Sequence, residues 1–308
     1  MVQGASAATE TYTRHPRKGV DWTDHYWWSS DGIRLHARLY DHRTDRDQAA
    51  MPLLCIPGLT RNARDFEQLA PHLAATRPVY AINLRGRGDS GYAKDAMTYT
   101  PLTYVQDVLA LLDDIGAHRA MLVGTSLGGL VTMLLSAMRP GLIAGAVLND
   151  IGPEIEPAGL DRIRGYVGQA SSYPTWVHCA RAIAATNAAV YPDWTLQQWI
   201  VAVKRSHKIT PEGVIVADYD ANIAQPFKLP GGEAGVDLWP AFEGLSHTPT
   251  LIVRGALSDI LGADSAVKMA ARLTQGKLVT IPGVGHAPTL DEVEAVVAID
   301  AFVGGIAE

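Results

Sequence analysis

Residues 120–138 read Ala-Met-Leu-Val-Gly-Thr-Ser-Leu-Gly-Gly-Leu-Val-Thr-Met-Leu-Leu-Ser-Ala-Met. Two patterns meet in this stretch. Ala120 to Val123 is a short continuous apolar run, the kind a strand covered on both faces presents, while Leu127 to Met138 has helical character. Between them Gly124-Thr125-Ser126-Leu127-Gly128 fits G-x-S-x-G. At a strand-to-helix junction this pentapeptide predicts a sharp turn, with the serine exposed above the sheet in strained backbone and the glycines relieving crowding on either side. Ser126 is therefore a candidate nucleophile; the plainer alternative is a serine that caps the start of a helix.

Working outward, similar apolar runs bounded by Gly and Pro occur at Leu53 to Ile56, Val79 to Leu84, Ile143 to Leu148, Thr250 to Val253 and Lys277 to Ile281. Helical periods separate several of them, as in Phe66, Leu69, Leu73 and in Val105, Val108, Leu109, Leu111, Leu112. Strand alternating with helix predicts an α/β fold with a mostly parallel central sheet and helices on both faces. A hairpin opens it, since Tyr26-Trp27-Trp28 and the alternating Ile33, Leu35, Ala37, Leu39 flank Asp31-Gly32. The rhythm breaks over 151–244, which carries no clear buried strand but has Tyr166, Tyr173, Trp176, Tyr191, Trp194, Trp199 and Tyr219, and ends in Pro230-Gly231-Gly232. This segment is expected to be a mainly helical insertion. It divides a sheet domain into 21–150 and 245–308, after a loose tail over 1–20.

The chain of 308 residues carries 26 Lys plus Arg against 32 Asp plus Glu, a formal net charge of −6. That balance gives no reason to expect nucleic acid or an anionic membrane as a partner. Its longest apolar runs fall short of the roughly 18 to 20 residues that a spanning helix needs. Cys55 and Cys179 are far apart and belong to no Cys/His cluster, so neither a disulfide framework nor a metal site is expected, and a reducing cytoplasm is the default.

With the strand, the elbow and the helix in this order, the sequence resembles the α/β-hydrolase fold family from about Trp22 to the C-terminus. The resemblance implies a triad in the order serine, acid, histidine. His286, in Pro282-Gly283-Val284-Gly285-His286-Ala287-Pro288, follows the last strand-like run and matches the family's histidine. Asp259, in the loop after Thr250 to Val253, matches the usual acid. Asp150, at the end of Ile143 to Leu148, is the alternative, used by a minority of related enzymes. The carboxylate would hold the imidazole in the correct tautomer. The turn Cys55-Ile56-Pro57-Gly58-Leu59-Thr60 looks like the family's oxyanion loop with proline in the histidine position, which implies the backbone N–H groups of Leu59 and Leu127 as oxyanion donors.

Gly86-Arg87-Gly88-Asp89-Ser90-Gly91 also fits G-x-G-x-x-G. A dinucleotide site would need a helix starting at that loop, yet Tyr92 to Pro101 is polar and irregular. In the family reading it is the arginine-glycine turn after the second parallel strand.

Serine at position 126 argues for acyl transfer, and the expected activity is hydrolysis of a carboxylic ester or lactone through an acyl-enzyme, with no metal or cofactor. Hydrolysis of a carbon–carbon bond in a diketone or ring-cleavage product is the alternative within enzymes. A ligand receptor on the same scaffold is the alternative of another class. The aromatic insertion implies a small hydrophobic or aromatic substrate under a lid, with Trp176, Trp194 and Trp199 as candidate contacts; His178 and His207 are expected in surface or core roles. The sequence leaves the oligomeric state open.

Overall fold

The computed structural model describes residues 21–45, 50–226 and 237–307. The expected tail over 1–20 and the turn Pro230-Gly231-Gly232 lie outside these.

The strands of the main sheet are β1 (Thr23–Trp28), β2 (Arg34–Tyr40), β3 (Leu53–Ile56), β4 (Val79–Asn83), β5 (Ala120–Thr125) and β6 (Ile143–Asn149), then β10 (Thr250–Gly255) and β11 (Gly276–Ile281). Each apolar run read from the sequence forms one of them. Their order is β1-β2-β4-β3-β5-β6-β10-β11. The β1–β2 hairpin and the β2–β4 pair are antiparallel, and the remaining pairs are parallel. The hairpin turns at Gly32, whose φ of 78° suits a residue without Cβ.

Successive side chains on a strand face opposite ways, so a continuously apolar strand feeds two cores. In β3, Leu54 and Ile56 join a cluster with Val105, Leu111, Val131 and Leu135, while Leu53 and Cys55 join one with Leu69, Leu73, Ile299 and Phe302. Accordingly α2 (Pro101–Asp114), α3 (Leu127–Met138), α7 (Trp239–Glu243) and α8 (Ala263–Arg272) cover one face, and α1 (Leu69–Leu73) and α9 (Val293–Val303) the other. Each such buried aliphatic side chain contributes about 1.5–3 kcal/mol over its exposed state. β11 lies at the edge and is only partly covered, unlike the central strands.

Between β6 and β10 the chain forms α4 (Pro157–Tyr166), β7 (Ser172–Tyr173), α5 (Trp176–Asn187), α6 (Leu196–Ser206), β8 (His207–Ile209) and β9 (Ile215–Ala217). The helices were expected; the small antiparallel sheet β7-β9-β8 was not. Its strands are two or three residues long and, apart from Ile215, half-buried or exposed, too short to show as apolar runs. Cys179, Ala180, Trp199, Val203 and Ile215 give this segment a core of its own.

The chain leaves β3 toward β4 on one side while β5 lies on the other, so the carboxyl ends of β3 and β5 border a switch point of the sheet, where clefts form in α/β folds. Ile56 pairs with Gly124 there. The elbow glycines are sterically required: a Cβ on Gly128 would lie 2.0 Å from the Ile56 carbonyl oxygen, and one on Gly124 would lie 2.4 Å from the Gly128 carbonyl oxygen. Gly128→Ala is therefore expected to lose about 3 kcal/mol or more in urea denaturation. Gly165→Ala, on α4 with nothing within 4 Å of the added methyl, should instead gain about 0.5–1 kcal/mol. Equal effects of the two substitutions would refute this account of the elbow.

Candidate active site

Ser126 stands between β5 and α3 with φ 52° and ψ −115°, a conformation side-chain-bearing residues rarely adopt. Its side chain makes no helix-capping hydrogen bond. Its hydroxyl lies instead 2.8 Å from Nε2 of His286. The backbone at Ser126 is fixed by its N–H, which donates to the Asn149 carbonyl at 2.9 Å.

His286 follows β11 on a loop whose backbone is held from two directions. Asn149 Nδ2 donates to the Pro288 carbonyl at 2.9 Å. The inserted segment supplies the other grip: the Gly285 N–H donates to the Val190 carbonyl at 2.6 Å, and the Tyr191 hydroxyl donates to the Ala287 carbonyl.

Nδ1 of His286 meets Oδ2 of Asp150 at 2.8 Å. Asp150 is completely buried and, like Ser126, has a positive φ, 58°. Its Oδ1 accepts from the Gly255 N–H at 2.8 Å and its Oδ2 from the Ser258 hydroxyl at 2.6 Å. A buried carboxyl group needs such partners, and the last residue of β10 supplies one and the loop after it the other. With Asp150 ionised, Nδ1 carries the proton and Nε2 is free to accept from the Ser126 hydroxyl.

Asp259, expected to hold the imidazole, does not. Arg162 of α4 binds its carboxylate through Nε at 2.6 Å and Nη2 at 2.8 Å. Burial pulls the Asp259 pKa up, but Arg162 outweighs it and holds the group below the usual carboxylate range. The alternative, Asp150, takes the position against His286, and Ser258, one residue before Asp259, serves as its support.

The loop after β3 runs alongside the elbow: a Cβ on Gly58 would sit 3.7 Å from that of Ser126. Leu127 is the first residue of α3, so its N–H has no partner within the helix. Leu59 lines the same cavity as Ser126. Its carbonyl accepts from Nε of Arg87 at 2.9 Å. Arg87 is fully buried, also donating to the Arg85 carbonyl and the Tyr104 hydroxyl. The glycine-rich turn that mimics a dinucleotide motif thus braces the loop after β3. No helix begins at it; only a short 3-10 turn, Ala96–Thr98, precedes α2.

Ser126 and His286 open into a cavity of about 420 Å³. Trp194 and Trp199 stand on its wall with Tyr166, Tyr191 and Tyr219. Tyr191 and Trp194 stack with ring centroids 3.8 Å apart. Trp176, the third expected contact, packs against the core of the inserted segment instead. It stands in the first turn of α5, and apolar spacing alone cannot distinguish such packing from a cavity wall. His178 is exposed, with Nδ1 against the Thr175 hydroxyl, whereas His207 lines the cavity, and burial pushes its imidazole down to about 4. Sequence reasoning also missed Arg61 and Arg162, both on the wall.

The fold and this geometry are those of an α/β hydrolase, and the model of the Alpha/beta hydrolase family matches residues 53–299: the chain belongs to that family. It is similar to a 3-hydroxybutyrate-oligomer hydrolase of Cupriavidus necator, 33% identical over 262 residues, covering 82% of this chain and 88% of the relative. It is also similar to a 2-(acetamidomethylene)succinate hydrolase of Mesorhizobium japonicum, 27% identical, covering 78% and 84%. Among solved structures, an α/β hydrolase from Novosphingobium aromaticivorans superposes with a TM-score of 0.87 at 52% identity, covering 92% of this chain and 98% of that one. No helix among the described residues is long and apolar enough to cross a membrane.

Proposed function

We propose that this hydrolase cleaves carboxylic esters through an acyl-enzyme on Ser126. The observation that carries the reading is the pair of 2.8 Å contacts joining Ser126, His286 and Asp150 at the floor of the cavity. His286 takes the Ser126 proton as the oxygen attacks the ester carbonyl, and Asp150 stabilises the imidazolium that forms. The N–H groups of Leu59 and Leu127 hold the oxyanion, each worth about 3–4 kcal/mol in the transition state. The imidazolium returns its proton to the departing alkoxide. Water, activated by the same imidazole, then releases the acid and restores Ser126.

Residues 151–244 act as a lid in this reading, because the segment supplies Tyr166, Trp194 and Trp199 to the wall above Ser126. Small substrates fit a cavity of about 420 Å³. The likeness to a 3-hydroxybutyrate-oligomer hydrolase makes short hydroxyacid esters the first compounds to try.

The test combines fluorophosphonate labelling with steady-state assay of p-nitrophenyl esters of graded acyl length, a lactone and a vinylogous diketone. Labelling at Ser126 with multiple turnovers of an ester is the expected result. Labelling without turnover of any compound would indicate a receptor, and preference for the diketone a carbon–carbon hydrolase.

A further inference from the structure

The charge on the cavity wall is more than ester cleavage requires. Three guanidinium groups, Arg61, Arg162 and Arg205, line it beside a single carboxylate, Asp65. The carboxylates paired with Arg162 and Arg205, which are Asp259, Glu67 and Asp291, stand behind the wall rather than on it. His207 adds no charge near neutral pH, since burial holds its imidazole down at about 4. Each guanidinium is thus ion-paired with a carboxylate, yet toward the cavity the arginines outnumber the acceptors and offer N–H donors that an anionic group can use.

The three arginines are not equivalent. Arg205 is held on two sides, Nε by Glu67 at 2.9 Å and Nη1 by Asp291 at 2.7 Å. Arg61 sends both Nε and Nη2 to one oxygen of Asp65, at 2.9 and 2.8 Å. Arg162 sends Nε and Nη2 to Asp259. A guanidinium has five N–H donors, so Arg61 and Arg162 each keep an Nη1 with no partner among the described residues. Burial works against the charge on Arg61, but Asp65 outweighs it; for Arg162 the hydrogen bonding it donates to Asp259 dominates, and both stay cationic.

Their positions converge. Arg61 follows the loop after β3, and its Cγ lies 3.6 Å from where a Cβ on Gly58 would be, close to the serine. Arg162 projects from α4 of the inserted segment. Tyr166, also on the wall, lies within the electrostatic reach of both.

We propose that the substrate is an ester bearing a free carboxylate, and that Arg61 and Arg162 hold this carboxylate while the ester carbonyl lies over Ser126. This rests on the ester-hydrolase reading above. A charge-assisted pair of this kind distinguishes an anion from a neutral isostere, because the amide leaves the guanidinium N–H groups short of an acceptor.

The experiment compares two matched pairs: 3-acetoxybutyrate against 3-acetoxybutyramide, with the charge on the alcohol side, and mono-p-nitrophenyl glutarate against the corresponding glutaramate ester, with the charge on the acyl side. In at least one pair the anion should be favoured in kcat/KM by about tenfold or more. The ratio should fall to about one in Arg162→Gln and in Arg61→Gln, and persist in part in Arg162→Lys, which keeps the charge without the fork. Cleavage of the esters with no preference for the anion in either pair would overturn the proposal and leave the ester reading standing. A preference unmoved by either Gln variant would remove these two arginines from it. If none of the four esters is cleaved, both readings fall.

Discussion

Asp150→Asn is expected to lower kcat on a p-nitrophenyl ester by about 10⁴-fold, while Asp259→Asn lowers it by less than about tenfold. Asn at 150 fills the same space, and its carbonyl oxygen can still accept from the Gly255 N–H or the Ser258 hydroxyl. Where its amide nitrogen faces His286, however, it donates rather than accepts. The imidazole then carries its proton on Nε2, where it cannot take one from Ser126. Asp259→Asn loosens only the Arg162 pair, which is partly exposed and makes no direct hydrogen bond to the imidazole. Thermal melts would show whether each variant is folded. The reverse order of losses would return the acid's role to the loop after β10.

Ser126→Ala is expected to abolish turnover, by about 10⁶-fold in kcat, and Ser126→Ala combined with His286→Ala should be scarcely worse, because residues that act as one unit lose their effect together. The serine also has a structural cost. Its φ of 52° is strained for any residue with a Cβ, and Ala inherits that strain, so its melting temperature should stay near the wild-type value. Ser126→Gly relieves it and should stabilise the fold by about 1 kcal/mol while being equally inactive. An active Ser126→Ala enzyme would end the acyl-enzyme reading, and an unstabilised Ser126→Gly protein would end the strain argument.

The sheet was legible because its central strands, such as β3 and β5, are covered on both faces and so contain no polar alternation to confuse them. Ser126 and His286 were legible for a related reason: Ser126 directly follows β5 between two glycines, and His286 stands in a glycine-rich loop shortly after β11. The choice between Asp150 and Asp259 was not. It depends on the bend at the end of β6, where Asp150 takes a positive φ, and on an arginine 97 residues before Asp259 that claims the other carboxylate. Neither leaves a local signal. The wall of the cavity was half legible for the same reason: aromatic content marks the segment, but only packing separates Trp194 and Trp199 from Trp176.

Val190 and Tyr191 hold the backbone on either side of His286, yet both belong to the inserted segment that lines the cavity. The inserted segment and the histidine loop are therefore not separable parts. Evolution or an engineer could not exchange this segment for another, to admit a different guest, without also supplying a carbonyl and a hydroxyl at those two points, or the loop that carries His286 would lose its footing.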